Sequence, residues 1–227
     1  MKRFWTTVDV TEAGGIALDG KPVRTPGRVP LLLPNQRLSK AVADEWRSVT
    51  GEIDPRAMPL TGLANAAIDR IAPDPAAFAA GLAAYAESDL LCYRADAPAE
   101  LVARQSAAWD PLLDWARRTY GVDFVVTSGI MHRPQPPATI ARLQAAVAGY
   151  DCFTLAALSP IVTVSGSLIA ALALAERGAD PEAVWLASEL DSDWQAEQWG
   201  EDELAIPARQ ARRRDYEAGV RMLELLR

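Results

Sequence analysis

The feature that most limits how this chain can fold is a change of periodicity along it. Apolar and polar residues alternate near the start, through Phe4, Thr6, Val8 and Val10, whereas after residue 35 apolar residues recur mostly at helical spacing. Alternation puts every second side chain on one face of a strand, and the 3.6-residue period puts i, i+3 and i+4 on one face of a helix. Strands and helices confined to separate stretches argue against βαβ alternation and predict an α+β fold. Within residues 4–33, Gly14-Gly15 and Asp19-Gly20 predict turns, and Pro22, Pro26, Pro30 and Pro34 blunt the edges of a small meander. Asn35 predicts the cap of a first helix that carries Leu38, Ala41, Val42, Glu45 and Trp46 and stops at Gly51. Prolines at 55, 59, 73 and 75 punctuate the next stretch, around a short helix through Leu63, Ala67 and Ile68 capped by Thr61. From Ala76 onward helices are expected up to Tyr120 and over 137–149, 153–177, 181–199 and 207–226, with Val122 to Val126 a strand or a buried connection. The expected organisation is a small β-rich N-terminal domain over residues 1–75, followed by a larger α-helical C-terminal domain over 76–227.

Half of the 227 side chains are hydrophobic, ample for a sizeable core. The net charge of -7 repels the phosphates of nucleic acid and of anionic lipid, so neither is an expected partner. Arg209, Arg212, Arg213 and Arg214 cluster in the last helical stretch and read as a solvated face. No charge occurs between Asp151 and Glu176, a length that could cross a bilayer, but Pro160, Gly166 and several Ser and Thr interrupt it and acids flank it. A buried core helix, preceded by a turn or cap at Pro160 to Val164, is expected instead of membrane insertion. Met1-Lys2-Arg3-Phe4-Trp5 runs straight into the alternating segment without an apolar or amphipathic leader. The expected location is the bacterial cytoplasm, or the mitochondrial matrix for a trimmed mature form. Cys92 and Cys152 lie in apolar segments without a CxxC pairing and are expected as buried free thiols.

Candidate chemistry fails at specific positions. Gly15-Ile16-Ala17-Leu18-Asp19-Gly20-Lys21-Pro22 has the Gly and Lys spacing of a phosphate loop. Yet Pro22 replaces the hydroxyl that would bind magnesium, and Asp19 puts negative charge where phosphates would lie, so a hairpin is expected. A small nucleotide-binding protein or hydrolase built on this turn is the alternative reading. His132 is the sole histidine, set in a proline-rich connection, and no Gly-x-Ser-x-Gly elbow accompanies it. One histidine and two distant cysteines make no usual zinc site. What remains is a surface. Glu189, Asp193 and Glu197 fall on one helical face, either solvated or forming an electrostatic docking surface for a basic partner. Seven Trp outnumber four Phe, and Trp194 and Trp199 lie beside these acids, where large amphipathic rings suit a partner interface.

Five stretches, taken together and in order, resemble one family. They are Leu18-Asp19-Gly20-Lys21-Pro22-Val23-Arg24-Thr25-Pro26; Ala43-Asp44-Glu45-Trp46; Met58-Pro59-Leu60-Thr61 with Leu63-Ala64-Asn65-Ala66-Ala67-Ile68-Asp69; Gln105 with Trp109-Asp110-Pro111-Leu112-Leu113; and Gln195 with Trp199-Gly200. The combination resembles the assembly chaperones of the F-type ATP synthase head that bind its unassembled α subunit. The resemblance implies a β-rich part followed by a helical one, no enzymatic activity, no cofactor, no small-molecule substrate, and protection of the α subunit from aggregation. By position it points to partner binding at Glu182, Gln195 and Trp199, with Trp46 and Gly200 as structural anchors, and the acidic, Trp-bearing surface adds Trp194 and Glu201 as partner-binding candidates. After Gly200 the family continues toward a His-Asp pair, where this chain has Glu201-Asp202-Glu203-Leu204.

Overall fold

The computed structural model describes residues 2–129 and 131–227. Helices dominate and the strands are short. The chain forms two compact units: the first holds the residues up to Pro75 with Tyr150–Ala157 and Ala218–Arg227, the second Ala76–Gly149 and Leu158–Glu217. Two late segments thus belong with the N-terminal part, a return that local periodicity does not mark.

In the first unit, β1 (Val8–Val10), β2 (Ile16–Leu18) and β3 (Lys21–Pro22) form an antiparallel sheet in that order. The β2–β3 turn puts Asp19 at φ 47 and Gly20 at φ 77. Two consecutive left-handed residues match the twist of a tight hairpin, and this is why Gly follows Asp here. The Asp19 carboxylate accepts from the Thr6 and Thr7 amides at 2.9 and 2.8 Å, which hold it below the usual carboxylate range. Val29 to Leu33 joins through single bridges, Arg24 with Pro30 and Gly15 with Leu32, without forming a strand.

Helix α1 (Gln36–Ser48) begins at the expected cap: Asn35 Oδ1 accepts from Leu38 N at 2.9 Å, while its Nδ2 donates to Leu225 O at 2.9 Å. It ends at Ser48, ahead of Gly51, because Val49 is already extended. Helix α2 (Pro59–Ala66) runs into a π-type turn at Ala67–Ile71. Thr61 lies inside α2 and does not cap it. Glu45 of α1 takes that role, its carboxylate accepting from Leu60 N, Thr61 N and Thr61 Oγ1 at 2.7, 2.7 and 2.6 Å. A carboxylate on the first free amides of a helix is favoured by hydrogen bonding and by the helix dipole. Burial pushes the Glu45 carboxyl up, against the pull of these hydrogen bonds.

The second unit contains α3 (from Pro75 to Ala83), α4 (Ala99–Tyr120), α5 (Pro137–Ala148), α8 (Pro181–Trp199) and most of α9 (Ile206–Leu226). Strands β4 (Tyr93–Arg94) and β5 (Thr127–Ser128) pair in parallel. Val122 to Val126 is the connection leading into β5, with Val122 buried and Val125 and Val126 exposed. The uncharged stretch divides into α6 (Cys152–Ser165) and α7 (Leu168–Ala175), correcting the expectation of one helix. Gly166 at φ 66 ends α6, and Ser167 Oγ caps α7 by accepting from Ala170 N at 3.0 Å. Pro160 lies within α6 and not at a preceding turn. Leu155 to Leu158, Ile161, Val162 and Leu168 to Leu174 are buried, and among the described residues no helix is long and apolar enough to cross a membrane.

Asp89 is fully buried and also serves the start of α7, accepting from Ile169 N at 3.0 Å and from Leu91 N at 3.1 Å. Burial pushes its carboxyl from 3.8 up to about 6, so the folded chain takes up this proton at a higher pH than the unfolded chain. The resulting cost is complete above pH 6 and is relieved as the pH falls toward 4. Between about pH 7 and pH 5 the chain is expected to gain about 1 kcal/mol relative to Asp89→Asn, measured by urea unfolding of both at each pH.

Candidate partner-binding surface

Helix α8 opens on Asp180, whose Oδ1 accepts from Ala183 N at 2.9 Å, with Pro181 in the first turn. Glu182 follows and is paired with the Arg213 guanidinium, which holds its carboxyl below the ordinary range. Arg213 also bonds Glu217 at 2.6 Å and lies over the Trp185 ring at 4.9 Å. Glu189 is buried and receives Arg209 Nε at 3.1 Å and Arg212 Nη2 at 2.9 Å. Asp193 pairs with Arg209 at 2.6 Å, Glu197 with Arg104 of α4 at 2.7 Å, and Asp191 accepts from Gln105 Nε2 at 2.7 Å. Two expectations are corrected together. The acidic stripe of α8 is not a free, self-repelling face, and most of the arginine cluster of α9 is not simply solvated, because each neutralises the other. A carboxylate cluster becomes tolerable on one face when charge-assisted hydrogen bonds from the facing helix satisfy it.

The residues assigned to partner binding separate into two groups. Gln195 and Glu201 are exposed, and Trp199 is 79% exposed. Glu182 is exposed but already spends its charge on Arg213. Trp194 points inward, only 8% exposed, with Arg104 stacked over it at 4.7 Å. Its ring is therefore part of the packing between α4 and α8 and not of the outer surface. Gly200, at φ 88 and ψ 160, ends α8 in a conformation open almost only to glycine. Trp46 is half-buried, its ring edge-on to Trp5 at 5.3 Å. Sequence reasoning overlooked Leu204, the most exposed large apolar side chain among the described residues at 89%. The available signal was a lone leucine among acids between two helical patterns.

The motif stretches converge in pairs. Thr25 Oγ1 donates to Asp69 at 2.6 Å, and Gly27 N donates to the same carboxylate at 2.8 Å. Glu45 receives Leu60 and Thr61, as described above. Gln105, buried, accepts from Ala95 N at 2.8 Å while donating to Asp191. Asp110 pairs with Arg94 at 2.6 Å, and Trp109 Nε1 donates to Ala187 O at 2.8 Å. These side chains wire each unit internally.

The suspected chemistry does not assemble. Ile16–Leu18 and Lys21–Pro22 are paired strands, so the Gly15 to Lys21 segment forms no phosphate cradle. His132 bonds the Tyr93 hydroxyl at 3.0 Å and approaches Glu87 at 3.5 Å on an exposed loop. Burial pushes the Cys92 thiol up to about 12, far from a reactive thiolate, and also raises the half-buried Cys152.

The described side chains are wired within each unit, and Trp199 and Leu204 stand exposed beside the exposed carboxylates of Glu201 and Glu203. The chain belongs to the ATP12 chaperone protein family, which it matches over residues 2–117. Atp12 of Paracoccus denitrificans superposes with a TM-score of 0.93 at 42% identity, over 100% of this chain and 98% of that one. A variant of the Paracoccus protein with one aspartate replaced by lysine gives 0.94 at 43%, with the same coverage. The Atu1473 protein of Agrobacterium tumefaciens, described as a candidate chaperone, gives 0.93 at 44%, over 100% of this chain and 86% of that one.

Proposed function

We propose that this chaperone holds the unassembled α subunit of the F-type ATP synthase head and keeps it from aggregating until the head assembles, working by binding alone without cofactor or catalytic step. The observation that carries the reading is the family match joined to a likeness that extends over the whole chain. A subunit made ahead of its neighbours exposes apolar surface meant for them, and a protein that binds this surface stabilises the subunit by mass action until assembly displaces it. The place of work would be the bacterial cytoplasm or the mitochondrial matrix. Of the residues assigned to partner binding, Gln195, Trp199 and Glu201 are available at the surface, and Glu182 is available once Arg213 yields it. The test is light scattering from dilute α subunit during refolding. An equimolar amount of this protein is expected to suppress aggregation without ATP; unchanged scattering at several-fold excess would remove the reading.

A further inference from the structure

We infer that the connector between α8 and α9, from Trp199 to Leu204, is the element that docks the client, and that it fits an apolar pocket on the client rimmed by arginine or lysine. The inference rests on the holding-chaperone reading and names the chemistry of the surface it uses.

The acids of α8 fall into two sets. Glu182, Glu189, Asp193 and Glu197 are paired with Arg213, Arg209 and Arg212, Arg209 and Arg104, and Asp191 is bonded to Gln105. Beyond Trp199 the accounting changes. Among the described residues, no hydrogen bond or ion pair engages the carboxylates of Glu201 and Glu203, and both are exposed. On either side of them stand the large apolar side chains of Trp199 and Leu204, 79% and 89% exposed. Other exposed apolar residues sit in different electrostatic company: Phe4 leans on Trp5, over which the Arg3 guanidinium lies, and Met131 adjoins His132 and Arg133. At the connector, bare apolar surface and uncompensated negative charge coincide.

The connector is also held in shape. Gly200 redirects the chain, and Asp202 closes the turn by accepting Leu204 N on its Oδ1 at 2.9 Å and Ala205 N on its carbonyl at 2.9 Å. A preformed turn lowers the ordering cost of binding, so its two side chains can act as anchors. An acidic rim selects a cationic one by charge complementarity and speeds encounter, an effect that salt screens.

The experiment measures binding of the full chain to purified α subunit by anisotropy, at low salt and at about 0.5 M salt. Trp199→Ala and Leu204→Asp are each expected to weaken binding by about tenfold or more. Glu201→Lys combined with Glu203→Lys is expected to weaken it about tenfold at low salt and much less at high salt. Asp114→Asn, an exposed carboxylate of α4 already paired with Arg117 at 2.7 Å, is expected to stay within about twofold. These sites are exposed, so an unchanged melting curve certifies each fold. Wild-type binding with undiminished binding by Trp199→Ala and Leu204→Asp would overturn the connector while leaving the chaperone reading intact. Equal loss at both salt concentrations for the lysine pair would overturn the basic rim. No binding by the wild type would remove the chaperone reading and this inference with it.

Discussion

Replacing Glu189 by alanine is expected to destabilise the second unit by about 2–4 kcal/mol, read from the midpoint of chemical unfolding at constant m-value. Glu189 is the buried centre of the α8–α9 charge network, 3% exposed and bonded to both Arg209 and Arg212. Removing it leaves two guanidinium groups facing a small cavity. Arg209 retains Asp193 at 2.6 Å, and Arg212 is partly solvated with a side chain 45% exposed, so the effect falls short of an isolated buried charge. The partners provide the control. Arg212→Ala leaves Glu189 with Arg209 and exposes little new buried charge, and it is expected to cost about 1 kcal/mol or less. Equal effects for Glu189→Ala and Arg212→Ala would refute a buried centre, since burial on one side of the pair is what separates them.

This network also marks where sequence reasoning stopped. Glu189, Asp193 and Glu197 are correctly placed on one helical face by the 3.6 period, and Arg209, Arg212 and Arg213 share the next helix. Periodicity says which residues share a face but not which face meets which, so two matching charge patterns read as two solvated surfaces. The same limit explains Glu45. The helix it sits on was legible, and so was the cap at Asn35, because both are local. Its grip on Leu60 and Thr61 joins residues 15 and 16 positions apart, across two prolines, and no local rule announces it. Pro160 misled for the opposite reason. A proline is a sound helix breaker in isolation, yet inside α6 the buried apolar side chains around it supply enough packing energy to keep the helix continuous. Among the tryptophans, composition predicted anchors in general and the structure sorts them: Trp5, Trp109, Trp185 and Trp194 are core, and Trp199 alone projects outward. The resemblance motifs are mostly wiring, which is why they identify the family without locating the client surface.

Trp109→Ala is expected to be the most damaging single change, destabilising the second unit by about 3–5 kcal/mol. Trp109 is 1% exposed in the middle of α4, among the largest fully buried side chains of the chain. Three losses coincide on truncation. A cavity the size of an indole opens; the Ala187 carbonyl of α8 loses the Nε1–H donor at 2.8 Å; and Arg94, whose guanidinium lies 4.8 Å over the ring, keeps Asp110 but loses its cation–π surface. Trp109→Phe separates the terms. It retains most of the ring volume and the face beneath Arg94 while deleting the donor, and it is expected to cost about 1–2 kcal/mol, near the value of one buried hydrogen bond plus the volume lost from indole to phenyl. Because the lost hydrogen bond fixes α4 to the middle of α8, the phenylalanine variant should also show faster amide exchange along α8 while its overall fold survives. If client binding then weakens in a variant that never touches the surface, the rigidity of α8 is part of how the connector is presented. If binding is unchanged, the connector's own turn at Asp202 suffices to hold Trp199 and Leu204 in place.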